Sequence, residues 1–293
     1  MFKKSLFLIA ASLLLSSCSS FFALINVSPS SRLKAVTYSN EAPNALYTFY
    51  YPDTTGNGFL RTLRSRYALD SVVQGAVDDK ARILRIMDWT SSRWSHNGSN
   101  TPSQSDALTI LAEAQEGKQF RCVEYGIVAT AALNSLGMKA RTLGLKTRDV
   151  EKVRFGAGHV VSEVYVPALE KWVFIDPQFN LMPTLDGVPL NGVEFQAALY
   201  NKDARLVITT NEGNLTREEA APYLNWIGKY LFYYDVLFDQ ATLESDEFKA
   251  NNGMTKLTLV PVGCKEPRVF QRRSKIDYSY YTHSLNDFYR KPQ

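Results

Sequence analysis

Hydrophobic positions in the middle of the chain recur first at helical spacing. Ile83, Ile86, Met87 and Thr90 follow Asp78-Asp79, whose carboxylates suit the start of a helix that ends near Trp94. Ser105-Asp106 opens a second helix, with Leu108, Leu111 and Ala114 on one face and Gly117 as its stop. A third begins at Cys122: Val123, Ile127, Val128, Ala131 and Leu136 are apolar, Gly126, Ala129 and Ala132 are small, and Gly137 closes the run. Small residues permit close approach, so this helix is predicted to be buried on more than one side. Leu60 to Ala68 is helix-like but basic.

Period-two patterns follow. Met138 to Leu145 reads as a strand, and His159, Val161, Glu163 and Tyr165 share one face of the next. Trp172, Phe174 and Asp176 share one face of a third strand, across the short link Pro167 to Glu170. An antiparallel hairpin brings His159 and Asp176 to one face only if paired residue numbers sum to an odd value, for instance Tyr165 opposite Trp172. Further strands are expected at Leu46 to Tyr51, Arg205 to Thr210 and Lys256 to Val262, with a tight turn at Leu185 to Val188. Thr216 to Gln240 reads as one long helical stretch with seven aromatics, expected as core packing more than as a substrate platform. Pro222 marks a break or the true start of that stretch, and a Tyr-rich basic tail ends the chain. No internal repeat or low-complexity block divides it.

Composition narrows the function. The chain has 293 residues, 45% hydrophobic and 12% aromatic, enough for a substantial core. A net charge of +4 with no long Lys/Arg run describes a solvated surface and gives no reason to expect a nucleic-acid partner. The absence of CxxC, HExxH and Gly-rich phosphate motifs points to chemistry with neither metal nor cofactor.

Residues 1–18 read as an address: Lys3 and Lys4, the apolar run Leu6 to Leu15, then Leu15-Ser16-Ser17-Cys18, which resembles a bacterial lipobox. The expectation is lipidation at Cys18, with Ser19 resembling the outer-membrane sorting pattern; an ordinary secretory signal is the alternative. Residues 19–45 read as a tether, and 46–293 as a single domain with a C-terminal helical and strand extension. Cys122 and Cys264 then remain, and are expected to stay apart as thiols.

Three side chains carry candidate chemistry. A thiol, an imidazole and a carboxylate suffice for nucleophilic acyl transfer, and Cys122, His159 and Asp176 supply them. Each has a plainer reading: a buried structural thiol, a satisfied strand histidine, and a strand-end residue before Pro177. Placement of Cys122 at a helix N-terminus favours thiolate and offers N–H groups to an oxyanion. His96, in a polar turn, and His283, in the tail, are expected to be exposed.

The segments RCVEYG from Arg121, LGMKAR from Leu136, GHVVSEVYV from Gly158 and KWVFIDPQFN from Lys171 resemble the transglutaminase-like superfamily of papain-like thiol enzymes, over roughly residues 80–182. The resemblance implies an α+β papain/transglutaminase-like fold, with the catalytic helix packed on an antiparallel sheet. It makes Cys122 the nucleophile, His159 the base and Asp176 the orienting acid, with Glu163 a possible competitor for His159. For the oxyanion it suggests an upstream side chain, here Gln119, with Trp89 and Trp94 farther away. The implied activity is thioester chemistry on amide bonds of proteins or peptides, peptidoglycan peptides included, at the cell envelope. Hydrolysis is preferred over protein crosslinking on location and fold analogy, and a non-catalytic binding module of the same fold is the remaining reading.

Overall fold

The structure is a computed structural model that describes residues 33–52, 54–240 and 253–293; Cys18 and its lipobox lie outside them. Five helices come first: α1 (Gly58–Arg66), α2 (Leu69–Val72), α3 (Asp79–Ser91), α4 (Ala107–Gln115) and α5 (Cys122–Ser135). Side chains before α1, α3 and α4 cap them, Asn57, Asp78 and Asp106 accepting from Leu60 N, Ala81 N and Thr109 N at 3.0, 2.7 and 2.9 Å. Every residue of α5 from Glu124 onward is buried, as its apolar and small composition predicts.

The strands β1 (Ala140–Lys146), β2 (Gly158–Val166) and β3 (Lys171–Ile175) form an antiparallel meander. The β2–β3 register places Tyr165 opposite Trp172, the odd-sum pairing the parity argument requires. There follow β4 (Met182–Leu185), β5 (Val188–Pro189), α6 (Gly192–Tyr200), β6 (Leu206–Thr210), β7 (Gly213–Asn214) and α7 (Arg217–Ile227). The chain closes with β8 (Tyr233–Leu237), β9 (Lys256–Leu259), β10 (Val269–Phe270), β11 (Ser274–Lys275), β12 (Ser279–Thr282) and α8 (Leu285–Phe288). One sheet has the order β12-β9-β8-β1-β2-β3, a second β5-β4-β6-β7, and β10–β11 is a separate hairpin. Helices α1 to α5 cover one face of the large sheet through Val164, Val173 and Ile175; α6 and α7 cover the other through Leu143, Val161 and Phe174.

Three expectations change. Thr216 to Gln240 is not one helix: α7 ends at Ile227, with Pro222 inside it, and Tyr233–Leu237 becomes a central strand between β1 and β9. A central strand buried on both faces is apolar throughout, which periodicity alone cannot tell from a buried helix. Leu46 to Tyr51 forms no strand; it makes the single bridge Tyr50–Asp239, while Phe49 packs on Phe238 at 5.3 Å between ring centroids. The Tyr-rich tail is built into the sheet, β12 running parallel to β9. Its neighbour is the expected tether: Ser39 N donates to His283 O at 2.8 Å and Leu285 N to Ser39 O at 2.9 Å.

Candidate active site

Cys122 is the first residue of α5, where backbone N–H groups lack helical acceptors and the dipole favours an anion. The buried carboxylate of Glu124 accepts from Arg121 N at 3.0 Å and from the Arg121 guanidinium at 2.6 Å, fixing the turn before the thiol. One helical turn on, Gly126 lets α5 close against β2: a Cβ there would lie 2.9 Å from Val160 Cγ1 and 3.3 Å from Val161 O. Ser162 clamps the contact, its Oγ donating to Gly126 O at 3.2 Å and lying 3.0 Å from Thr130 Oγ1. The sheet strand that carries His159 is thereby held against the helix that carries Cys122.

His159 is buried, and its Nε2 lies 2.8 Å from Asp176 Oδ2. With Nε2 so engaged, Nδ1 is the ring nitrogen left for the Cys122 thiol. The Asp176 carboxylate has a full set of partners: Tyr223 donates its hydroxyl to Oδ2 at 3.0 Å, and the N–H groups of Gln178 and Phe179 donate to Oδ1 at 3.2 and 3.4 Å. Trp226 stands edge-on to the imidazole at 4.9 Å, with Tyr230 at 5.9 Å and Phe179 at 6.1 Å, which restricts water around the ring.

Electrostatics separate the two reacting groups. Burial pushes the Cys122 thiol up, but the hydrogen bond and charge of His159, with the backbone of Val160, outweigh it and leave the thiol below its ordinary value. Burial pulls His159 down, yet the charge and hydrogen bond of Asp176, helped by Cys122, raise it to about 10. A depressed thiol beside an elevated imidazole favours the thiolate–imidazolium arrangement of their shared proton over neutral thiol and imidazole.

The pair opens into a cleft of about 790 Å³. Gln119 does not reach it: the side chain is exposed and absent from the lining, because the backbone turns into α5 after Phe120 and leaves Gln119 outside. Trp89 and Trp94 are also elsewhere, packed on Tyr67 and on Tyr125 in the helical core. Glu163 does not compete for His159; it is buried against Arg141 at 2.6 Å. His96, expected to be exposed, is half-buried in the cleft wall on a loop held by Asn97 N to Phe120 O at 2.8 Å. Burial and then the charge of His159 lower its pKa. Trp226 and Tyr230 likewise line the cleft, so part of the aromatic run belongs to the site and not to the core alone. Tyr223 and His96 are the residues that sequence reasoning missed; neither sits in a local motif. Cys122 and Cys264 are both free thiols. Among the described residues no three His, Cys, Asp or Glu side chains are placed to hold a metal.

The profile of the Transglutaminase-like superfamily matches residues 66–177, a span that contains Cys122, His159 and Asp176. No curated protein matches the chain. Among solved structures, it is similar to a candidate cysteine protease from Cytophaga hutchinsonii, 17% identical over 45% of this chain and 46% of that one, with a TM-score of 0.33. A TGase is 17% identical over 40% of this chain and 31% of its own, with a TM-score of 0.31. A candidate protease from Parabacteroides distasonis is 12% identical over 56% of this chain and 31% of its own, with a TM-score of 0.30. The chain spans less than half the length of each.

Proposed function

With residues 66–177 forming a transglutaminase-like core in an α+β fold, we propose that this protein is a thiol enzyme that transfers acyl groups from peptide or protein amides. The observation that carries the reading is His159 placed between the Cys122 thiol and the Asp176 carboxylate. The Cys122 thiolate attacks the amide carbonyl carbon, and the developing oxyanion faces the N–H groups at the start of α5. The His159 imidazolium gives its proton to the departing amine nitrogen as the C–N bond breaks, leaving a thioester. Water, with His159 as base, then attacks the thioester and the thiolate leaves. Asp176 holds the ring orientation and its charge throughout.

Hydrolysis is the preferred outcome, on the expectation of a lipid-anchored envelope protein whose substrates include peptidoglycan peptides. A Gln-containing peptide offered with and without a primary amine separates the readings. Free acid in both arms, lost in Cys122→Ala, supports a hydrolase; amine incorporation marks a crosslinking enzyme; no product in either arm leaves a binding module. The anchor has its own test: intact mass of membrane-extracted protein should show loss of residues 1–17 and a diacylglycerol-sized addition at Cys18. A soluble product cut elsewhere would remove the envelope argument.

A further inference from the structure

Two tyrosines approach the reacting pair from α7 and the turn behind it, and their hydroxyls are used differently. Tyr223 gives its hydroxyl proton to Asp176 at 3.0 Å. Tyr230 lines the cleft with Cys122 and His159, and its hydroxyl meets no donor or acceptor among the described residues. The ring is nonetheless held in place. Tyr230 is 4% exposed, with the Trp226 ring at 4.9 Å, the His159 imidazole at 5.9 Å and the Lys229 ammonium 4.6 Å over its face. Its backbone is also fixed: Tyr230 N donates to Ile227 O at 2.8 Å, Phe232 N to Tyr230 O at 2.9 Å, and Leu231 bridges to Lys146 of β1.

A buried tyrosine ordinarily finds a partner for its hydroxyl, because an enclosed polar group without one destabilises the fold. For Tyr230 the cleft is the side from which a partner can come. Burial and then the charge on Cys122 push the phenol above its ordinary value, so it keeps its proton wherever the thiolate acts. That influence also sets the hydroxyl within range of the charge that begins on sulfur. When the thiolate adds to a carbonyl carbon, the charge moves two bonds on, to the carbonyl oxygen. The N–H groups at the start of α5 face it there, and an oxyanion has lone pairs for more than one donor. None of the upstream candidates supplies the second: Gln119 lies outside the cleft, and Trp89 and Trp94 pack in the helical core. The Arg121 guanidinium is held by Glu124 at 2.6 Å.

We infer that Tyr230 is a catalytic residue, its hydroxyl donating a hydrogen bond to the oxyanion formed when Cys122 attacks a carbonyl. The inference deepens the acyl-transfer reading and rests on it. It places a donor outside residues 66–177, on the turn that follows α7. Before attack the hydroxyl meets a neutral carbonyl oxygen. In the tetrahedral adduct the same oxygen carries a full negative charge, so the bond strengthens where the barrier lies. Tyr223 then orients the acid while Tyr230 stabilises the intermediate, and one aromatic segment serves both.

Two reagents for the same thiolate separate this role from a structural one. Iodoacetamide is attacked at a saturated carbon, loses iodide and forms no oxyanion. p-Nitrophenyl acetate is attacked at its carbonyl carbon, passes through an oxyanion and releases p-nitrophenolate as the thioester forms. Both rates are measured on the full chain, with Cys122→Ala as the blank that accounts for Cys264 and other nucleophiles. Tyr230→Phe keeps the ring and should slow acylation roughly 10- to 100-fold, the contribution of a hydrogen bond to a charged group. Alkylation of Cys122 should keep its rate, and the melting temperature should not fall, since the hydroxyl has no partner within the described fold. Unchanged acylation overturns the inference, because the hydroxyl then does not meet the oxyanion. Both rates falling together, with or without a lower Tm, also overturns it, because Tyr230 then acts on the thiol or on the packing. The unmodified protein tests the reading beneath. Slow alkylation at neutral pH removes the acyl-transfer reading and the inference with it; fast alkylation and acylation that Tyr230→Phe leaves untouched remove the inference alone.

Discussion

Tyr223, on α7, donates its hydroxyl at 3.0 Å to the same Asp176 oxygen that His159 Nε2 meets at 2.8 Å. A helix outside the matched span thus completes the environment of the candidate orienting acid. The buried carboxylate needs that donor, since an anion without partners in the interior is strongly disfavoured.

Tyr223→Phe removes the hydroxyl and little else from a packed ring. A hydrogen bond to a charged group contributes roughly 1.5–3 kcal/mol, so kcat/KM should drop about 10- to 100-fold if the bond is fully used in the transition state. Steady-state kinetics beside a thermal melt separate the two consequences. Unchanged kinetics with a lowered Tm would make Tyr223 a packing residue only.

The His159–Asp176 pair was legible because strand side chains alternate: once both residues lay on alternating runs with a short link, only odd-sum registers could bring them to one face, and Tyr165 opposite Trp172 is one of these. Helix α5 was legible for a similar reason, its small residues marking the close approach that Gly126 makes on Val160. Tyr223 was not, because it meets Asp176 from 47 residues away and no local pattern marks a hydroxyl as a partner. Strand β8 was misread because Tyr233–Leu237 is buried on both faces and therefore shows no period. Gln119 was misplaced by counting residues back from Cys122, when the direction of the turn before α5 decides where a side chain points.

Gly126→Ala tests how finely α5 and β2 are apposed. The new methyl would meet Val160 Cγ1 at 2.9 Å, and a β-branched side chain against a backbone carbonyl has little room to retreat. Overpacking of this kind costs about 1–3 kcal/mol, partly offset by the roughly 1 kcal/mol that Ala gains over Gly within a helix. Activity should suffer more than stability, because any shift of α5 moves Cys122 from His159. Urea denaturation together with kcat checks the ratio; a stable and fully active variant means that the contact relaxes without moving the thiol.

Glu163 offers a separate check, on the opposite conclusion. Its Oε2 accepts from Arg141 Nη2 at 2.6 Å, its Oε1 from Gly192 N at 3.1 Å and Tyr289 Oη at 3.2 Å. Arg141 in turn donates to Phe288 O at 2.8 Å, so the pair fastens the C-terminal segment to the sheet. Glu163→Gln leaves an enclosed guanidinium without its counter-charge and should lower stability by about 3–5 kcal/mol. The pH dependence of Cys122 alkylation should stay where it was; a shift in that profile would restore Glu163 as a partner of His159.

The thiolate–imidazolium pair predicts a pH profile with two limbs of known origin. Burial alone would raise the Cys122 thiol, but His159 brings it below its usual value, so alkylation by iodoacetamide should stay fast at a lower pH than for a free thiol. Reactivity is lost as pH falls through the thiol's folded pKa. On the alkaline side His159, raised to about 10 against its burial by Asp176, gives up its proton as pH climbs through that value. Turnover should decline there for want of a proton for the departing amine, while alkylation, which needs only the thiolate, persists. His159→Ala removes the hydrogen bond and the charge but not the burial, so the alkylation profile should move up to or beyond the ~8.5 of a free thiol. Asp176→Asn should move it less and yet reduce kcat by up to about ten-thousandfold, because the amide holds the wrong tautomer of the ring. Slow alkylation at neutral pH, indifferent to His159→Ala, would show that the three groups do not act together, and Cys122 would then be a buried structural thiol in a binding module.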